Sequence, residues 1–144
     1  MSRFLLAGLF CLWSFAAALA QDEPAPASPA DAAAIRAVIE HQLAAFQRDD
    51  AGAAFSDASP GIRAKFGTPD VFMDMVRTGY QPVYRPRETE FRELVAGPGG
   101  LVQKVLFVGP DGRPVLALYS MERQEDGTWR ISGCVLVEPA EQTT

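Results

Sequence analysis

At 144 residues, with 48% hydrophobic and 22% charged side chains, the chain has the size and apolar content of one globular domain. A chain of this length buries about two-thirds of its unfolded surface and needs neither metal nor disulfide staples. A formal charge of −5 and a pI near 4.8 argue against a nucleic-acid surface, which would need a basic face, and offer no attraction to anionic lipid.

Residues 1–20 read as a secretory signal peptide. Arg3 supplies the positive start, Phe4–Phe15 the apolar middle, and Ala18-Leu19-Ala20 a small-x-small cleavage site ahead of polar Gln21. The expected location is therefore periplasmic or secreted, with no stable membrane anchor once the leader is removed. The alternative is an uncleaved anchor, since Phe4–Ala20 is just long enough to span a bilayer. Cys11 is a poor lipidation site because bulky Phe10 precedes it. Gln21–Pro29, rich in proline and alanine, reads as a flexible linker. A single domain follows over residues 30–138, with a polar tail at 139–144.

The domain opens on a helix. In Ala33–Phe46 the residues Ile35, Val38, Ile39, Leu43 and Phe46 recur at helical spacing and form one apolar stripe. Ser28, Pro29 and Asp31 supply a cap, a first-turn proline and an acid at the positive dipole end. Asp49-Asp50 and Gly52 mark a stop before a short helical piece ending near Phe55. Ser59-Pro60-Gly61 caps one turn through Ile62–Phe66. Thr68-Pro69-Asp70 opens a helix over Val71–Thr78, ended by Gly79, with Val71, Phe72, Met75 and Val76 on one side. Tyr80–Arg87 holds two prolines and is expected to be extended.

From Glu88 the texture changes. Four strands are expected at Glu88–Val95, Leu101–Val108, Pro114–Arg123 and Thr128–Val137, separated by short glycine-bearing turns. Connectors this short join only antiparallel neighbours, so the strands form a meander with the helices packed on it, an α+β fold. Neither face of the sheet is polar. Leu101, Val105 and Phe107 share a face with Gln103, and Val102, Leu106 and Val108 share the other with Lys104. Trp129, Ile131, Val135 and Val137 fall on one side by simple alternation, opposite Cys134 and Leu136. Helices can cover one face. A homodimer through the outer face would cover the other; the alternative is a curled sheet with both faces internal.

Candidate site residues are few. Gln42 projects from the middle of the apolar stripe, where its amide must orient a ligand or bond to sheet backbone or to Asp49. Gln103 carries the same two options on a strand. Tyr80, Tyr84 and Arg85 gather aromatic faces and a guanidinium suited to gripping an anion, or they pack the helix–sheet seam. Tyr119 and Trp129 are pocket walls or core. Asp49 and Asp50, with Tyr119 as a donor, are the catalytic candidates for acid/base chemistry. His41 lies off the stripe and is expected to face water. Cys134, embedded in ISGCVLV, reads as a small buried apolar residue. Metal-ligand spacing, a phosphate-cradling glycine loop, G-x-S-x-G and a Cys–His pairing are all missing from the sequence, so no metal and no cofactor are expected.

The run Gln42–Arg87, together with Val102-Gln103, Tyr119–Arg123 and Asp126–Cys134, resembles an exported bacterial family known only as domain of unknown function 4864. The wider resemblance is to the nuclear-transport-factor-2-like, or cystatin-like, superfamily. It implies helices packed into a curved four-stranded antiparallel sheet, often with a cone-shaped pocket and often dimeric. That superfamily includes isomerases, dehydratases and hydrolases beside non-catalytic binding and assembly modules, so fold alone leaves activity open. The sequence thus points to a domain binding a small amphipathic ligand or a protein partner in a helix–sheet concavity. A cofactor-free lyase or isomerase and a structural assembly module are the alternatives.

Overall fold

A computed structural model describes residues 27–140. The expected signal peptide, most of the expected linker and the last four residues of the expected tail lie outside the described residues. Five helices precede four strands: α1 Pro29–Gln47, α2 Ala51–Ser56, α3 Pro60–Phe66, α4 Pro69–Gly79 and α5 Gln81–Tyr84, then β1 Glu88–Gly97, β2 Gly100–Val108, β3 Pro114–Arg123 and β4 Trp129–Val137. The strands form one antiparallel sheet in the order β1-β2-β3-β4, with the helices on one face. The fold is α+β. The sheet is open, not closed into a barrel.

The helix starts obey their capping chemistry. Ser28, Asp50, Ser59 and Thr68 each accept a backbone N–H through a side-chain oxygen, and proline follows Ser28, Ser59 and Thr68 in the first turn. The α1 stop is a left-handed residue. Asp49 has φ 53°, and the Asp49 and Asp50 amides donate back to the Phe46 and Ala45 carbonyls. This satisfies carbonyls that the helix end would leave bare.

Packing buries Ile35, Ile39, Gln42, Ala45 and Phe46 of α1 against Val105, Phe107, Ala117, Tyr119 and Met121 of the sheet, with Val38 and Leu43 half-buried beside them. Phe72 of α4 gathers the rings of Phe46, Phe55 and Phe66 at centroid distances of 6.4, 5.6 and 5.7 Å. These rings tie α1, α2, α3 and α4 together within the helical layer.

Three sequence expectations are corrected. Val71 is 52% exposed while Met73 is fully buried, because α4 packs on α2 and α5 with its apolar stripe centred on Phe72, Met73 and Val76. Tyr80–Arg87 is not extended throughout: Gln81–Tyr84 make one helical turn. Pro82 occupies the first turn, where a missing N–H costs nothing, and Pro86 follows the end.

The third correction concerns β4. Met121 pairs with Ile131 but Ser120 pairs with Gly133, so Ser132 is an extra residue in β4. Alternation is reset there. Trp129 and Ile131 face the helices, as do Cys134 and Leu136, while Val135 and Val137 lie on the outer face. A second bulge sets Arg92 and Glu93 of β1 against Lys104. Bulges bend a strand and sharpen its local twist.

Candidate functional site

A cavity of about 300 Å³ lies between the helices and the β3–β4 end of the sheet. Its walls come from every layer: Gln42 and Phe46 of α1, Ala58, then Ile62, Lys65 and Phe66 of α3, Phe72, Met75 and Val76 of α4, Tyr80, Val83, Tyr119, and residues 131–135 of β4. The walls are mostly apolar. The size falls at the lower end of ligand-binding cavities.

Among the described residues, Gln42 and Tyr80 of the cavity wall are hydrogen-bonded through their side chains and the buried Tyr119 hydroxyl is not. Gln42 Nε2 donates to the Ala54 carbonyl at 3.0 Å, tying α1 to α2. Tyr80 Oη donates to the Cys134 carbonyl at 2.8 Å on the free edge of β4, and burial pushes the Tyr80 phenol up. Tyr119 is 1% exposed, and its hydroxyl has no hydrogen-bond partner among the described residues. The Cys134 thiol and the Tyr80 phenol lie nearby, the thiol near enough to perturb the hydroxyl, but neither meets it in hydrogen-bond geometry. Burial raises the Tyr119 hydroxyl well above its ordinary value and pushes the Cys134 thiol up to about 12, so both are neutral. Cys134 is thus an inert wall, as the sequence suggests, although the bulge turns it toward the cavity.

The other sequence candidates fall elsewhere. Gln103 Nε2 donates to the Arg92 carbonyl at 2.8 Å and to the Lys104 carbonyl at 2.9 Å, filling the β1 bulge from the buried side. Trp129 sits at the opposite end of α1, its ring 5.4 Å from the Arg123 guanidinium, which pairs with Asp31 at 3.2 Å. Asp50 caps α2.

Asp49, Tyr84 and Arg85 do come together, on the surface and outside the cavity walls. The Tyr84 hydroxyl donates to Asp49, Arg85 reaches it at 3.1 Å and Arg77 at 3.4 Å, and the Arg85 guanidinium stacks 3.9 Å from the Tyr84 ring centre. Arg85 also donates to the Phe46 carbonyl at 2.6 Å. The Tyr84 hydroxyl first, then the two guanidiniums, hold the Asp49 carboxyl below the usual carboxylate range. A carboxylate kept ionised and apart from the cavity is poorly poised as a general base for a ligand inside it. The cluster instead pins the left-handed end of α1 to α4 and α5.

One pair was not foreseen. His41 Nδ1 lies 2.6 Å from Oδ2 of buried Asp57, so the histidine is half in water and half engaged. The pair is sixteen residues apart and carries no local signal. Sequence reasoning also missed Ile62, Lys65, Phe66, Phe72 and Met75 as cavity residues. Ile62 and Phe66 are spaced i, i+4 on a capped segment, which was the available clue.

Among the described residues there is no cluster of side chains able to hold a metal ion, and no helix long and apolar enough to cross a membrane. The class defined here is an α+β domain with an apolar cavity between a helical layer and an open antiparallel sheet. The chain belongs to the family described as domain of unknown function DUF4864, whose match spans residues 28–144. Comparison with curated proteins found no match, and neither did comparison with solved structures. The nuclear-transport-factor-2-like assignment therefore gains no support from solved neighbours.

Proposed function

We propose that the chain is an exported, non-catalytic domain that binds a small amphipathic ligand in the cavity between its helices and sheet. The leader-like pattern of residues 1–20 supports export to the periplasm or beyond. The observation that carries the binding reading is the Tyr119 hydroxyl, buried and unpartnered at an apolar cavity. An unpaired buried hydroxyl costs about 1–3 kcal/mol, and a ligand bearing one neutral hydrogen-bonding group recovers it. The cavity has room for about ten water-sized groups.

Calorimetric titration with 2-octanone tests this. Saturable one-to-one binding is expected, weakened in Tyr119→Phe and lost in Ile62→Trp, which fills the cavity. Absence of binding by 2-octanone and by a wider panel of lipids, steroids and small acids would overturn the proposal.

Self-association through the outer sheet face is a second reading. Val135 is 58% exposed there, with Val102, Leu106, Leu116 and Leu118 half-buried and uncovered by any helix. Sedimentation should then show a dimer that Leu118→Glu dissociates. A monomer at all concentrations would remove this reading.

A further inference from the structure

The charge distribution around the cavity carries the ligand reading one step further, and the inference rests on that reading. Among the described residues, Lys65 is the one charged residue on the cavity wall. The protein bears a net charge of −5, so a lone cation at the cavity runs against its average. Lys65 makes no salt bridge among the described residues, although Arg36, Arg77, Arg85 and Lys104 each engage a carboxylate. Its ammonium lies 5.5 Å from the ring centre of Phe66, itself a cavity wall, so the charge stands over the aromatic lining. Lys65 is solvent-exposed, while Tyr119 is buried. A charged ligand group therefore keeps its water at Lys65, and a neutral group takes the desolvated place at Tyr119.

From the cation over the Phe66 wall and the neutral hydroxyl of Tyr119, we infer that the cavity selects amphipathic anions: a short apolar body ending in a carboxylate paired with Lys65, with a neutral oxygen farther along at Tyr119. A cationic or purely apolar ligand would leave the ammonium unanswered.

Two probes differing only at one end test this, 7-oxooctanoate and 2-octanone, in which a carboxylate replaces a terminal methyl on the same ketone body. At low ionic strength the wild-type protein should bind the anion about fivefold more tightly, the scale of one exposed ion pair, and added salt should shrink the preference. Lys65→Gln should equalise the two ligands by weakening the anion alone; unchanged 2-octanone affinity then shows that the cavity is intact. Arg63→Gln, on the same helix but not on the cavity wall, should leave the preference as in wild type. Equal binding of both probes to the wild type, a preference surviving Lys65→Gln, or equal loss in Arg63→Gln would overturn the inference and leave the cavity as a neutral binder. If neither probe binds, the inference falls, and the ligand reading falls with it when the wider panel of lipids, steroids and small acids also fails to bind.

Discussion

Replacing Tyr119 by phenylalanine should stabilise the free protein, against the usual direction for a buried tyrosine. The ring stays where it is, so no cavity term enters, and the change removes only an oxygen. That oxygen has no protein partner among the described residues, and burial disfavours its ionised form. Had it made an ordinary hydrogen bond, deletion would cost about 1 kcal/mol. Unpartnered, its removal relieves a desolvation cost of about 1–3 kcal/mol, reduced by whatever water the cavity admits; a net gain near 1 kcal/mol is expected. For a domain of this size that raises the melting temperature by about 4 °C. Urea titrations of wild type and Tyr119→Phe, both ligand-free, should show a higher midpoint with an unchanged slope. The same variant should bind 2-octanone less well, so stability and affinity move in opposite directions. A loss of 1 kcal/mol or more in the free protein would refute the reasoning, because it would mean that the hydroxyl is already satisfied.

Other outcomes follow from the remaining polar groups. Gln103→Leu keeps the side chain's bulk but strips the donor from two carbonyls at the β1 bulge, and should cost about 1–3 kcal/mol in urea titration. At the end of α1, Asp49→Gly should lower the melting temperature less than Asp49→Ala, since both lose the Tyr84 and Arg85 ties but only alanine retains the left-handed strain. The Cys134 thiol, pushed up to about 12, should ignore a disulfide reagent at pH 8 until denaturant is added. Burial, partly offset by His41, raises the Asp57 carboxyl above 3.8. A raised acid contributes stability that is complete below 3.8 and lost as pH climbs through the folded value. Wild type should therefore gain stability relative to Asp57→Asn as pH falls across that window; the opposite slope would show that the His41 interaction outweighs burial.

What could be read from the sequence follows from how local each determinant is. The strand ends and helix starts were legible because turns and caps are made within three or four residues: Ser28-Pro29, Ser59-Pro60, Thr68-Pro69, and the glycines between strands. Gln42 was recognisable as anomalous because it breaks an apolar stripe, and it does line the cavity. Its actual partner, the Ala54 carbonyl, depends on where α2 folds back and was not readable. Tyr84, Arg85 and Asp49 were singled out on separate grounds. That they meet each other, and not a ligand, is set by how α5 docks against the end of α1. Val71 and Met73 exchanged roles because each extends the Phe72–Val76 stripe on a different flank, and tertiary packing decides between flanks. Lys65 looked like any surface lysine, since only the fold brings Phe66, Phe72 and Tyr119 around one space.

The extra residue in β4 has a genetic consequence. Ser132 acts as a parity switch: strand residues before it and after it obey opposite odd–even rules for which side meets the helices. Excising that single codon would let Gly133 follow Ile131 directly with Cys134 still opposite Tyr119, removing the bend without turning the rest of the strand over. Losing Gly133 as well would set Val135 opposite Tyr119, and the cavity would acquire a branched side chain in place of a thiol there. The first deletion at this point is therefore absorbed by the bulge and only the second reshapes the interior, so a comparison of relatives has to count residues across the bulge before assigning a side chain to the inner face.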